Sequence, residues 1–430
     1  MSETCLEGCA AKTQTVGFIP GVILFICFVA AIGAALGIVL TADKYYPSQS
    51  ISSINTFTST YVPSTSRNII STSSVSRYIT AAMITTPATT MKSGWSNTGS
   101  MNSTRYVHTA SILANGKILV TGGQNFFEGV LNSAELYDSS SRIWTSTGSM
   151  ISRRLFHAAS LLSNGKVLVT GGRDSPNSFN STELYDPSTG VWIRTSNMIY
   201  ARSSHTASVL TNGRVLVAGG YNNSNSLSTA ELYDPSTGIW TLTGNMNYAR
   251  YVHTATVLTN GKVLIVGGYI YNNINSLSTT ELYDSSTGVW TVTGNMNYAR
   301  SSHTASVLAN GKVLVVGGAG INGNSLSTAE LYDPSTGIWT LTGNMNYVRS
   351  SHTASVLTNG KVLVSGGYVN GIRINSAELY DPSTGVWTVA ASMKYVRNDH
   401  TASVLANGQV LIAGGLNGTD VLETTELYTP

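Results

Sequence analysis

Two hydropathy patterns divide the chain. From Val16 to Leu40 the sequence VGFIPGVILFICFVAAIGAALGIVL runs 25 residues without a charge. About 20 apolar residues cross a bilayer core as a helix, so this run is long enough to span with some tilt. The competing reading is a cleaved signal peptide, but its apolar core would run about 7–15 residues. The length therefore favours a retained helix. After about residue 92 the pattern changes to short apolar runs broken by Gly, Asn, Asp and Pro. In one such unit His303–Leu308 reads as a strand ending at Asn310-Gly311, a hairpin signal whose two central positions want φ > 0. Lys312–Val316 reads as a strand buried on both faces and stops at Gly317-Gly318. Ala329–Tyr332 is a third strand. Asp333-Pro334-Ser335-Thr336-Gly337 is a turn, and Ile338–Leu341, carrying Trp339, is a fourth strand.

The unit recurs every 48 to 50 residues. All seven histidines of the protein occupy one repeat position: His108, His157, His205, His253, His303, His352 and His400. Gly-Gly pairs start at Gly122, Gly171, Gly219, Gly267, Gly317, Gly366 and Gly414, so the first unit carries Gly122-Gly123. Glu-Leu-Tyr triplets begin at Glu135, Glu183, Glu231, Glu281, Glu330, Glu378 and Glu426, with Tyr137 closing the first. A period near 50 with four strands per unit predicts an all-β fold, a seven-bladed β-propeller. The seven tryptophans set its closure. Trp144 and five later copies each sit on a fourth strand, the last unit stops after its third strand, and the spare Trp95 strand lies at the amino-terminal end of the repeat region. The Trp95 strand is therefore expected to complete the last blade, removing an open edge.

These residues resemble the kelch family, whose pattern is an apolar run, a Gly-Gly pair, then Tyr and Trp at set distances. The resemblance spans nearly everything after residue 92. It implies a binding scaffold such as those that engage actin or act as substrate adaptors. No BTB-like or F-box-like segment is recognisable ahead of the repeats, which argues against an adaptor. The propeller is also similar to that of galactose oxidase. That likeness implies a copper held by two Tyr and two His, with one Tyr cross-linked to Cys. The three cysteines are Cys5, Cys9 and Cys27, all outside the repeats, and no histidine lies off the repeat position. An oxidase is therefore not expected, and no cofactor or metal is assigned.

The expected organisation is a short polar tail at 1–15, a transmembrane helix at 16–40, a Ser/Thr-rich linker or stalk at 41–91, and a monomeric propeller at 92–430. Stalk composition of this kind is often O-glycosylated outside cells. Lys12 lies before the span and Asp43 and Lys44 after it, so charge barely sets the orientation. The stalk and the sequons at Asn102, Asn180, Asn222 and Asn417 point to a single-pass, type II arrangement with the propeller extracellular or lumenal. Cys5 and Cys9 would then be palmitoylation candidates or inert thiols. Charged residues make up 10% of the chain, net charge is +3, and no Lys/Arg block appears, so no nucleic-acid partner is expected.

Arg-x-x-His recurs seven times, led by Arg105, Arg154, Arg202, Arg250, Arg300, Arg349 and Arg397. A group copied seven times is structural rather than catalytic, and the seven Arg and seven Glu suggest a recurring ion pair between or within blades. No catalytic residue is assigned. In contrast, the second–third loops differ in every unit, at 124–131, 173–180, 221–228, 269–278, 320–327, 368–375 and 416–423. Variation concentrated on one face of a repeat array marks a binding face, unless the loops drift because they touch nothing. The candidate contacts are Phe126, Phe127, Arg173, Tyr221, Tyr269, Tyr271, Tyr368 and Arg373. Tyr106, Phe156 and Tyr251 join them from the links. Such residues suit a protein or carbohydrate ligand, reached from outside the cell or, alternatively, from the cytosol if the topology is inverted.

Overall fold

The computed structural model describes residues 93–271 and 275–430. The expected tail, membrane helix and stalk lie outside the described residues. Within them no helix is long and apolar enough to cross a membrane.

Seven four-stranded antiparallel sheets form a seven-bladed propeller. In the first blade, Thr109–Ile112 is innermost, followed outward by Ile118–Thr121, Ala134–Asp138 and Ile143–Thr147. Each inner strand abuts the inner strand of the next blade, and Thr401–Val404 of blade seven meets Thr109–Ile112 of blade one, so the ring is closed. The outer strand of blade seven is Gly94–Asn97, paired along Thr425–Thr429 with Trp95 opposite Tyr428. Among the described residues the lone helical element is a 3₁₀ turn at Ile321–Gly323.

Second strands are buried at every position, as in VLVV of Val313–Val316, because both faces meet a neighbouring sheet. Core clusters therefore form between blades rather than inside them. Leu314, Val316 and Met345 pack against Val362, Tyr380 and Trp387 of the following blade. The same contact closes the ring, with Leu411 and Leu427 against Ile118, Tyr137 and Trp144. Within a blade Tyr137 and Trp144 sit opposite each other, ring centroids 5.0 Å apart. Between blades Trp192 Nε1 donates to the Gly148 carbonyl at 2.7 Å.

The first–second turn corrects one expectation. In blade one only Gly116 takes positive φ, at 78°, while Asn115 does not. Gly116 N donates to Leu113 O, and Leu113 N donates to Lys117 O, each at 2.9 Å. This is a type I turn followed by a left-handed glycine, not a two-residue turn with two positive φ values. Asn115 serves the turn through its side chain instead. Its Oδ1 accepts from Lys117 N at 3.1 Å, which holds the turn from inside. Three of the variable loops also contain short ladders that the pattern did not reveal, Gln124–Asn125 with Gly129–Val130, Arg173–Asp174 with Asn177–Ser178, and Tyr368–Val369 with Ile372–Arg373.

Candidate functional site

The repeat arginines and glutamates form one ion pair in each blade. Arg105 Nη2 pairs with Glu135 Oε1 of its own blade at 2.8 Å, and both side chains are buried. All seven blades hold this pair at 2.7–2.9 Å. The pair is thus within blades. Arg105 Nη1 also donates to the Gly122 and Ser133 carbonyls, and the Glu135 carboxylate accepts from the amides of Asn102 and Ser103 in the link. Burial lowers the Arg105 pKa, opposed by the Glu135 charge. These networks fasten each link to its blade through both guanidinium Nη atoms, while the buried Arg105 Nε is left without a partner.

The histidines join blades instead. His157 Nε2 bonds Thr109 Oγ1 of the preceding inner strand at 3.0 Å, and His108 reaches Thr401 in the same way at 3.1 Å. In blade two the equivalent threonine is replaced by Ala158, and His205 turns to Thr170 Oγ1 at 2.8 Å. Their equivalents in later blades line a cavity of about 390 Å³ between the inner strands, bordered by Thr206, Thr254, Thr304, His253, His303 and His352 among others. Burial, then the neighbouring Arg154 charge, lowers the His157 pKa to about 3, so its imidazole is neutral. Among the described residues no three His, Cys, Asp or Glu side chains are placed to hold a metal.

The two faces of the ring differ. On one, the turn residues Asp138, Asp186, Asp234, Asp284, Asp333 and Asp381 pair with Lys or Arg from the first–second turn, as in Lys312–Asp333 at 3.2 Å. On the other, every link is bridged to its own variable loop: Tyr106 to Gln124, Leu155 to Arg173, Ser203 to Tyr221, Tyr251 to Tyr269, Ser301 to Ala319, Ser350 to Tyr368 and Asn398 to Leu416. One residue further on, Val107, Phe156, Ser204, Val252, Ser302, Ser351 and Asp399 all take positive φ. Six backbone bonds link them into a band around the channel mouth, from Ser204 N to Phe156 O through to Val107 N to Asp399 O.

Here the candidate contact residues separate into groups. Arg173, Phe156, Tyr221, Tyr251, Tyr269 and Tyr271 come together across blades two to four. The Arg173 guanidinium lies over Phe156 at 5.0 Å, and Tyr221 is 5.0 Å from Tyr271 and 5.8 Å from Tyr251. Tyr251 is in turn 6.0 Å from Tyr269, and burial pushes its phenol up to about 12. Tyr106 is buried, with its OH donating to Gln124 Oε1 and its ring edge-on to Phe126, so it supports the mouth from below rather than presenting itself. Phe127 projects fully into solvent at 96% exposure. Arg373 and Tyr368 form a separate pair in blade six, 5.4 Å apart.

Two residues here escaped the sequence pattern. Asn398 receives Arg373 Nε on its Oδ1 at 3.3 Å and donates to Asp399 Oδ2 at 2.7 Å. Burial raises the Asp399 pKa to about 6, with Ser351 and Arg373 opposing the shift. The available signal was that blade seven alone carries an acid inside Arg-x-x-His, in Arg397-Asn398-Asp399-His400.

Comparison with known families agrees with this architecture. The model of the KLHDC2/KLHL20/DRC7 Kelch-repeats domain matches residues 77–268 and 252–429. The chain belongs to the kelch-repeat family. No curated protein matches it. Among solved structures, this kelch ring is similar to a novel fungal alcohol oxidase of the AA5 family in complex with copper. The TM-score is 0.64 at 19% identity, covering 79% of this chain and 76% of that one. It is also similar to YjhT, with a TM-score of 0.53 at 17% identity, covering 67% of this chain and 98% of that one. At these identities the likeness is one of fold. The kelch ring here does not fit a copper centre of the cross-linked type: it has no cysteine, and its histidines are bonded to threonines between blades.

Proposed function

We propose that this kelch protein is a single-pass, membrane-anchored interaction module. Its propeller is extracellular or lumenal and binds a protein or glycan through the variable face, without catalysing a reaction. The observation that carries the reading is the contrast between the two faces. One repeats the same turn and ion pair blade after blade. The other gathers the differences at the channel mouth, where tyrosines, Phe156 and Arg173 converge. Exposed tyrosine and arginine are the side chains that most often anchor contacts. The uncharged 16–40 run and the Ser/Thr-rich 41–91 segment support the anchor and the outward orientation.

The test is to express the full chain with a carboxyl-terminal tag and label intact cells, with glycosidase treatment alongside. Surface labelling with a mobility shift is expected. The shift should come chiefly from Asn222 and Asn417 in the variable loops. The Asn102 and Asn180 side-chain amides are instead spent on Glu135 and on the Met198 carbonyl. Labelling only after permeabilisation, with protein at the plasma membrane and no shift, would replace this reading with a cytosol-facing scaffold for cytoskeletal partners.

A further inference from the structure

We infer that Arg173 is the anchor for a carboxylate, and that the ligand of this face is an acidic saccharide. The inference rests on the variable-face reading above and deepens it.

Arg173 stands apart from the other arginines of the ring. The seven repeat arginines are paired with glutamates, Arg214 is paired with Asp234, Arg373 donates to Asn398, Arg153 donates to the Glu128 carbonyl, and Arg142 and Arg194 are exposed. Among the described residues the Arg173 guanidinium has neither ion pair nor hydrogen bond. It lies over the Phe156 ring at 5.0 Å, with the phenols of Tyr221, Tyr251 and Tyr106 around it. Guanidinium remains charged even where burial lowers its pKa, as it does here. A partly desolvated cation stacked on one ring gains some cation–π energy but leaves its in-plane donors unused. A carboxylate satisfies two of them at once through the parallel fork, which is the strongest geometry open to that group. The acid in the mouth does not fill this role, because Asp399 is engaged by Asn398 and Ser351.

The surroundings favour a sugar acid over an extended peptide. A peptide docking by main-chain pairing needs a free strand edge. At this mouth the link and loop residues already pair with each other, and six of the seven positive-φ residues use their amides on the band's own carbonyls. What remains is side chains. Tyr221, Tyr251, Tyr269 and Tyr271 form a run of rings at 5.0–6.0 Å beside the guanidinium, suited to the apolar face of a pyranose. Ser204, Ser302 and Ser351 lie in the adjoining band.

The experiment is calorimetric titration of the full chain with a hyaluronan hexasaccharide, whose sugars alternate with uronates. Its carboxyl-reduced counterpart and an Asp-rich peptide of equal charge serve as comparisons. The hexasaccharide is expected to bind. Carboxyl reduction or Arg173→Gln should weaken binding by roughly ten- to a hundredfold, with the thermal midpoint unchanged. Arg173→Lys, which keeps charge but loses the fork, should rescue only part of it. Equal binding of the reduced sugar, or indifference to Arg173→Gln, overturns the anchor. Equal, Arg173-dependent binding of the peptide overturns the saccharide class, as does failure of the hexasaccharide to bind. Tyr271→Ala and Phe127→Ala separate the two levels. If they abolish binding while Arg173→Gln does not, the variable face stands and Arg173 falls. If sugar binding ignores all three, the face reading falls as well.

Discussion

The backbone carbonyl of Arg154 accepts a hydrogen bond from the amide of Gly123, one blade earlier in the ring, at 2.8 Å. The neighbouring Gly122 carbonyl accepts from Arg105 of its own blade. One Gly-Gly pair thus joins the ion-pair network of its blade to the link of the next, and the positive φ of both residues and the closeness of that approach restrict the two positions to glycine.

A methyl group at the first glycine has no space. At Gly317, where φ is +58°, an added Cβ would lie 2.6 Å from Arg349 O and 2.8 Å from His352 Cε1. Gly317→Ala should therefore destabilise the ring by about 2–4 kcal/mol, through strain and clash together. Thermal unfolding reads this directly, and an unchanged midpoint would show that the blades slide apart at little cost.

Breaking one buried pair should cost more than its Coulomb energy suggests. Glu330→Gln leaves the buried Arg300 without its counter-charge. It also weakens the acceptor of the Asn297 and Tyr298 amides. A loss of about 3 kcal/mol or more is expected in denaturant unfolding. A variant within 0.5 kcal/mol of the parent, roughly the scatter for an ordinary surface change, would mean the pair is dispensable.

The histidines should make the ring acid-labile. Burial, then adjacent arginines, holds His157 and His253 at about 3, and pushes the others well below the ordinary value of 6.5. Folded, they stay neutral as pH falls, whereas unfolded they take up protons near 6.5. Their contribution is complete above about pH 6.5 and is lost progressively toward pH 3, at up to about 1.4 kcal/mol per pH unit for each imidazole. The urea midpoint should drop steeply between pH 7 and pH 5, and less steeply in His303→Asn. A flat profile across that window would contradict the neutral, buried imidazoles.

One stabilising change is visible. Blade two ends its third–fourth turn with Gly190 at φ 72°, but blade one places Arg142 there at φ 61°. A non-glycine residue in that region costs on the order of 1 kcal/mol. Arg142→Gly should raise stability by roughly 0.5–1 kcal/mol, less the entropy that glycine adds to the unfolded chain. A lower thermal midpoint would show that the Arg142 side chain contributes more than its backbone costs.

Much of this protein was legible as periodicity. Seven spaced histidines, glycine pairs, Glu-Leu-Tyr triplets and tryptophans determine seven four-stranded blades, because each residue type answers a local demand that recurs with the chain's own period. Sevenfold copying alone raised the expectation of a structural role for Arg105, His108 and Glu135, and the ring places Arg105 and Glu135 in one buried pair. Only the closed ring decided the rest. Whether Arg met Glu within or between blades, why His205 turns to Thr170 rather than to the inner strand, and how Arg173 comes to share a mouth with Tyr221 and Tyr251 all depend on residues tens of positions apart. Copies spaced evenly along a chain carry no information about which neighbours a radial fold presses together. Asp399 makes the same point. In sequence it is an acid that blade seven alone carries inside Arg-x-x-His, and it becomes a half-buried carboxyl at the channel mouth only when the seven links converge on a common axis.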